Sequence, residues 1–305
     1  MKEITFIGVG GIGKPMAERL IDTGFAITAC DLSEAALEGF RKRGARTISR
    51  AAAGAEADAI LVMVANDAQV KAAVLGPGGV LEGIDSERPP VVAIMSSVLP
   101  QTIQDTAREL AKENVHTLDA PVSGGSIRAA QGELTIMVGG DAADLQTIRP
   151  VFDALGNKVF HCGPLGSGEA VKIINNIVGV ANTLITAEAL EMAIKLGIDL
   201  KWLADVMEAS SGRNVATKDI EGFRSIYRYN ARTAESLKAV IDICRKDLVL
   251  GQALGKQLKV FTPTLYALAL GNEAVSYEDI LATWRAVSED RDDMVRRGGE
   301  DEAHP

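Results

Sequence analysis

Cysteine is scarce in this chain, and the little there is excludes one class of protein. Cys30, Cys162 and Cys244 form no close pair and are odd in number, which argues against a secreted disulfide framework and for three buried thiols. Histidine is equally sparse: His116, His161 and His304 share no ligand-like spacing, and the cysteines do not complete a zinc set, so no metal is expected. No apolar run reaches about 18 residues, so nothing is expected to span a bilayer. The first residues pass straight into a strand-like segment with no basic region, apolar core and small-residue cleavage site. No export signal is read there, and a cytoplasmic location is the expectation. Basic residues are outnumbered, 32 against 41 acidic, giving a net charge of −9 and a pI near 5.0. They are dispersed rather than striped, so neither nucleic acid nor a membrane surface is an expected partner. Ser123 and Ser167 lie in glycine-rich turns but not in a G-x-S-x-G elbow, which sets aside a serine hydrolase. Internal repeats and low-complexity tracts are absent.

What is present is the composition of a globular chain, 47% hydrophobic and 24% charged over 305 residues, a length that suggests about two domains. The first half alternates short β-branched or apolar runs (4–7, 27–30, 59–64, 91–95, 116–120) with helical spacing (15–23, 34–43, 68–74, 101–112). Such alternation predicts βαβ units and a parallel sheet covered on both faces. Two further strands, 134–138 and 158–161, flank a helix at 142–155 and complete the sheet domain near Gly163. From 168 to 196 the pattern changes, with one glycine and apolar residues on nearly every face. The expectation is a buried helix roughly 43 Å long, a strut joining two domains. Helices at 200–210, 234–254, 264–269 and 277–288 follow. The predicted fold is therefore α/β, a doubly wound sheet domain (1–163) followed by an all-α second domain (164–297) joined by a long buried helix, with a frayed acidic tail at 298–305.

The first strand runs into Gly8-Val9-Gly10-Gly11-Ile12-Gly13. A glycine pattern alone is weak, but this one sits between a strand and a helix. There Gly8 permits the tight turn, Gly10 lets backbone approach a pyrophosphate, and Gly13 lets helix and strand pack closely. The helix N-terminus, reached through Gly11 and Ile12, supplies amide donors. The second strand ends at Asp31, placed to accept hydrogen bonds from the adenine ribose and to repel the 2′-phosphate of NADP. Leu32 brings no compensating cation, so NAD rather than NADP is expected in a Rossmann-type site. The alternative is a glycine turn without a ligand.

Two later stretches stand out chemically. Asp119-Ala120-Pro121-Val122-Ser123-Gly124-Gly125 ends a strand with a hydroxyl and two side-chain-poor amides, a nest suited to a carboxylate. Gly166-Ser167-Gly168-Glu169-Ala170-Val171-Lys172-Ile173-Ile174-Asn175-Asn176 leads from a flexible entry into the apolar helix, with Lys172 and Asn176 at i, i+4 on one face. Desolvation by its apolar neighbours would lower a lysine pKa from about 10.4 toward 7–8, a shift on the order of 4 kcal/mol, and make it a proton-transfer group. The local sequence is equally consistent with a snorkelling lysine and two asparagines paired with backbone.

These segments, taken in order with Gly132, Met137-Val138-Gly139-Gly140, Ser210-Ser211-Gly212 and Lys246-Asp247-Leu248, resemble the β-hydroxyacid dehydrogenase family over almost the whole chain. That family includes 3-hydroxyisobutyrate dehydrogenase and tartronate semialdehyde reductase and is more distantly related to 6-phosphogluconate dehydrogenase. The resemblance implies that Lys172 is the general acid/base, that Asn176, with Asn175 beside it, helps hold the substrate, and that Ser123, Gly124 and Gly125 bind its carboxylate. It further implies that Lys246 contacts the cofactor and that Asn66 and either Ser96 or Ser97 border its nicotinamide half. Arg128 is either a cation for a second polar or anionic substrate group or a solvent-exposed residue. The stretch Tyr227-Arg228-Tyr229-Asn230 matches little of the family pattern. The implied activity is hydride transfer between NAD and the alcohol carbon of a small hydroxy acid in a homodimer or homotetramer. The rivals are a non-catalytic dinucleotide-binding scaffold and an imine reductase on the same fold. Relatives in those two groups lack the lysine, so Lys172 counts against both.

Overall fold

In a computed structural model of the chain, residues 2–288 are described. The expected tail at 298–305, the last part of the second domain and His304 lie outside the described residues. Two compact units divide between Ile173 and Ile174, inside a helix.

In the first unit the elements run β1 (Glu3–Ile7), α1 (Gly13–Asp22), β2 (Ala26–Cys30), α2 (Glu34–Lys42), β3 (Arg46–Ile48), β4 (Ala59–Val62) and α3 (Asp67–Leu75). They continue with β5 (Val91–Ile94), α4 (Pro100–Leu110), β6 (His116–Asp119), β7 (Val122–Ser123), α5 (Gly125–Gln131), β8 (Leu134–Gly139), α6 (Ala142–Leu155) and β9 (Gly156–Gly163). The strands form one sheet in the order β3-β2-β1-β4-β5-β6-β8, with β7 and β9 both paired to β8. β1 to β6 are parallel, whereas β8 is antiparallel to β6 and β7, so the sheet is mixed. Along these strands successive side chains go to opposite faces. Phe6, Ala29, Leu61 and Ala93 join the core beneath α1 and α6, while Ile7, Ile60, Val62 and Ile94 join the core beneath α3 and α4. Both faces are buried, which is why the strands read as continuous apolar runs.

The strand order reverses between β1 and β4, the switch point where doubly wound sheets bind ligands. Register makes the edge sharp. Ile7 pairs with Cys30 and Val62, Val62 with Ile94, and Ile94 with Asp119, so five strands end at one level. At that edge Gly8 adopts φ +90°, and a Cβ there would fall onto the carbonyl oxygen of Met63. A Cβ at Gly13 would fall onto the carbonyl oxygen of Gly8, whereas at Gly10 it would meet nothing within 4 Å.

α7 (Ser167–Lys195) carries the chain from the first unit into the second. It is long and apolar enough, by length and composition, to cross a bilayer, contrary to the expectation that no segment was. The mean hydropathy of its most apolar 18 residues is 1.5, and 33% of them are buried. Its expected burial is therefore met on one side only: Ile174, Val178, Ile185 and Met192 are all more than half exposed. Apolarity in sequence says that a face needs cover, not which molecule supplies it.

The second unit continues with α8 (Leu200–Glu208), α9 (Val215–Lys218), α10 (Ile220–Asn230), α11 (Ala234–Gln257), α12 (Pro263–Ala274) and α13 (Tyr277–Ser288). Its core is built on Tyr227 and Trp284, whose rings meet edge-on at 4.9 Å. The hydroxyl of Tyr227 donates to the carbonyl of Thr183 at 2.7 Å. Arg224 Nε donates to the Val287 carbonyl and Arg228 Nε to that of Ser288, tying α10 to α13. The unmatched stretch at 227–230 is thus largely framework.

Replacing Gly13 by alanine is expected to cost at least ~2 kcal/mol in urea unfolding, because helix and strand must separate. The Gly10→Ala variant should stay within ~0.5 kcal/mol of the parent protein.

Candidate active site

The strand ends of the first unit carry most of the expected residues. The loop from Gly8 to Gly13 is fixed from outside: Val9 N donates to Asp31 Oδ2 at 2.9 Å, and Ser33 N donates to Asp31 Oδ1 at 2.9 Å. Asp31 is therefore held at the glycine loop by two backbone donors, while Leu32 is 91% exposed. Ile12 occupies the N-cap of α1 with no side-chain cap, and its own side chain packs on the core. The open space over Gly10 and Gly11, where an added Cβ meets nothing within 4 Å, together with a helix N-terminus, fits a dinucleotide pyrophosphate.

Farther along the edge the expectations divide. Asn66 caps α3, its side-chain oxygen accepting from Gln69 N at 2.9 Å. Ser96 is 1% exposed; its Oγ accepts from Val64 N at 2.7 Å and donates to the Val62 carbonyl at 3.3 Å. That hydroxyl clasps β4 to β5, which corrects the expectation that it faces a ligand. Ser97, half-buried, is the one of the pair with exposed surface. Ser123 ends β7 and is partly exposed, and Gly124 and Gly125 follow with φ +141° and +71°. These left-handed values turn consecutive amides into the start of α5, the local form a nest requires. Arg128 is exposed in α5, its stem beside Gly124.

Lys172 stands near the start of α7 and is only 7% exposed, which removes the snorkelling alternative. The turn before it is joined to β6: Gly166 N donates to Asp119 Oδ1 at 2.7 Å, and Glu169 N to Asp119 Oδ2 at 2.8 Å. Burial pushes the Asp119 carboxyl up, and these amides pull it back down.

In the second unit Asn175 is exposed, whereas Asn176 is half-buried and its Nδ2 donates to Asp247 Oδ2 at 2.7 Å. Lys246 Nζ lies 3.6 Å from Asp247 Oδ1. Asp247 is buried on α11 and joins the two. The sequence reading missed both Asp119 and Asp247 as parts of the site. Asp247 had a usable signal, being about one turn from Cys244 and from Gly251 on the buried stripe of its helix. Asp119 had none, because its partners lie 47 and 50 residues away.

Two cavities of about 380 and 570 Å³ open elsewhere on the first unit, near Thr28 and Arg46 and near His116 and Asp144. None of the residues expected in the site lines either one. Among the described residues no group of three or more His, Cys, Asp or Glu is placed to hold a metal. Cys30 and Cys244 are buried as expected, and burial, reinforced by Asp31 and Asp247 respectively, pushes each thiol up to about 11. Cys162 is only half-buried.

Comparison with known sequences and structures agrees with this geometry. Residues 3–163 match the family described as the NAD binding domain of 6-phosphogluconate dehydrogenase. Residues 166–276 match that described as NAD-binding of NADP-dependent 3-hydroxyisobutyrate dehydrogenase. The chain is 34% identical over 279 residues to the NAD-dependent L-serine dehydrogenase of Pseudomonas aeruginosa, covering 88% of this chain and 93% of that one. It is 35% identical over 263 residues to the 2-(hydroxymethyl)glutarate dehydrogenase of Eubacterium barkeri, covering 86% and 85%. The crystal structure of 3-hydroxyisobutyrate dehydrogenase from Salmonella typhimurium superposes with a TM-score of 0.72 at 29% identity, covering 89% of this chain and 92% of that one. Matches of this extent, spanning both the glycine loop at the switch point and the buried lysine of α7, place the chain in the β-hydroxyacid dehydrogenase family of NAD(P)-dependent oxidoreductases.

Proposed function

We propose that the protein is an NAD-dependent dehydrogenase acting on the hydroxyl-bearing carbon of a small 3-hydroxy or 2-hydroxy carboxylic acid, with Lys172 as general acid/base. The observation that carries this reading is the burial of Lys172, 7% exposed on the helix whose first turn is bonded to Asp119 at the end of β6. Burial keeps the amine from free exchange with bulk water, which suits a group that hands a proton to and from one bound partner. A nicotinamide dinucleotide bound at the strand ends supplies the hydride acceptor or donor. In oxidation Lys172 Nζ takes the proton of the substrate hydroxyl as that carbon gives up its hydride. In reduction the ammonium returns the proton to the carbonyl oxygen. The Ser123 hydroxyl and the amides at Gly124 and Gly125 hold the carboxylate, while Asn176, four residues beyond Lys172 on the same helix, is steadied by Asp247. The exposed Arg128 beside Gly124 extends the range to acids with a second anionic group.

Relatives differ in cofactor by name, one matched family being NADP-dependent and the L-serine dehydrogenase NAD-dependent. The preference for NAD therefore rests on Asp31, a carboxylate fixed at the glycine loop with Leu32 beside it. A second copy of the chain would cover the α7 stripe of Ile174, Val178, Ile185 and Met192, whose spacing of four and seven residues is that of a helix-packing seam. A dimer or tetramer follows from it, and a cytoplasmic location from the unpaired thiols.

Turnover is followed at a nicotinamide absorbance band with L-serine, 3-hydroxyisobutyrate and 2-(hydroxymethyl)glutarate. Lys172→Ala is expected to lower kcat by roughly 10²–10⁴-fold; wild-type turnover by this variant would sink the assignment. With the best acid, kcat/KM should favour NAD over NADP, and Asp31→Ser should narrow the ratio. An NADP preference in the parent protein would refute the Asp31 argument. The Gly10→Ala variant should weaken NAD binding while leaving stability intact, as calorimetry and urea titration can check together.

A further inference from the structure

Asp119 closes β6, is fully buried and has no part in the chemistry assigned above. Its carboxylate does for α7 what an N-cap side chain usually does from the next residue, but from another strand. The two oxygens serve different donors, Oδ1 taking Gly166 N at 2.7 Å and Oδ2 taking Glu169 N at 2.8 Å. The amide of Gly168 also favours the charged carboxylate. Space for this join is made by two glycines. A Cβ at Gly139, the residue paired with Asp119 across the sheet, would fall onto Oδ1. A Cβ at Gly168 would fall onto the carbonyl oxygen of Met137 and stand 2.9 Å from Oδ2. The same turn is tied a second time, by the fully buried Glu169, whose Oε2 accepts from Val98 N at 3.3 Å in the loop after β5. Lys172 comes three residues later, less than a turn beyond Glu169 on an unbroken helix.

We propose that Asp119 is a positioning residue: by clamping the first turn of α7 to the end of β6, it fixes where Lys172 Nζ meets the substrate hydroxyl. This rests on Lys172 being the acid/base. The charge of the carboxylate complements the positive end of the helix, so the join is both directional and stiff. A lever arm of one helical turn passes a small tilt at Asp119 to the amine, and a misplacement of about 1 Å in a reacting group costs on the order of 100-fold.

Asp119→Asn tests this at constant size. It keeps one carbonyl acceptor but turns an NH₂ toward the second backbone N–H, so one of the two clamps opens. Gly168→Ala pushes the turn off the carboxylate without removing any charge and serves if the asparagine variant does not fold. For each, calorimetry gives the number of NAD sites and their Kd. Turnover per NAD site is then measured with 3-hydroxyisobutyrate or L-serine, whichever is used faster, and with the form deuterated at the hydroxyl-bearing carbon. The expected result is a 10–100-fold fall in kcat per site, with NAD affinity within about twofold of the parent and an isotope effect at least as large. Wild-type kcat per site in either folded variant overturns the proposal. So does a loss of activity that only follows the number of NAD sites, since that is what a purely structural role predicts. Lys172→Ala is run alongside. If that variant keeps full activity, the acid/base reading itself has failed; if it is inactive while the Asp119 variant is normal, only the positioning role has.

Discussion

One carboxylate joins the mixed sheet to the helix on which Lys172 stands. Asp119 is buried without any contact to water, and what makes that tolerable is the set of helix N-terminal amides aimed at it. An isolated buried carboxylate is expensive, and so is a buried helix terminus with unsatisfied N–H groups. Brought together, each removes the other's cost. The glycines at 139 and 168 follow from this arrangement, because side chains there would occupy the space of the join.

The other end of the site obeys the same logic with a different pair. Asp31 accepts from the amide of Val9 and so holds the glycine loop, while Gly8 and Gly13 let that loop pass close over β4 and under its own helix. Gly10 and Gly11 are left as open backbone at the level where five strands end together. A phosphate-sized opening beside a helix N-terminus is a consequence of strand register as much as of glycine.

The second unit shows how misleading a local pattern can be. Tyr227, Arg228 and their neighbours match little of the family pattern in sequence, yet Tyr227 sits in the core and Arg224 and Arg228 donate to carbonyls of α13. Asp247 gives the opposite lesson. Beside a lysine on a helix it reads as solvated, but it is buried, holding Asn176 and facing Lys246.

Much of the architecture was legible from the chain alone. Strand and helix periodicities, the glycine loop and the acid at 31 are local signals, each written within one or two turns or one strand–turn–helix unit. The bounds of α6 agree with the sequence expectation to the residue, as does the start of α13. Short elements such as β3, β7, α5 and α9 were not foreseen, since a few residues carry too little pattern to compete with tertiary contacts, and the 11-residue α10 was missed as well. Only the folded chain decided that Ser96 serves the sheet, that Asn66 caps a helix, and that α7 leaves one apolar face open. It alone also placed Asp119 at the root of α7. Hydrogen bonds between residues dozens of positions apart leave no mark on periodicity, so the sequence could name the lysine but not what holds it in place.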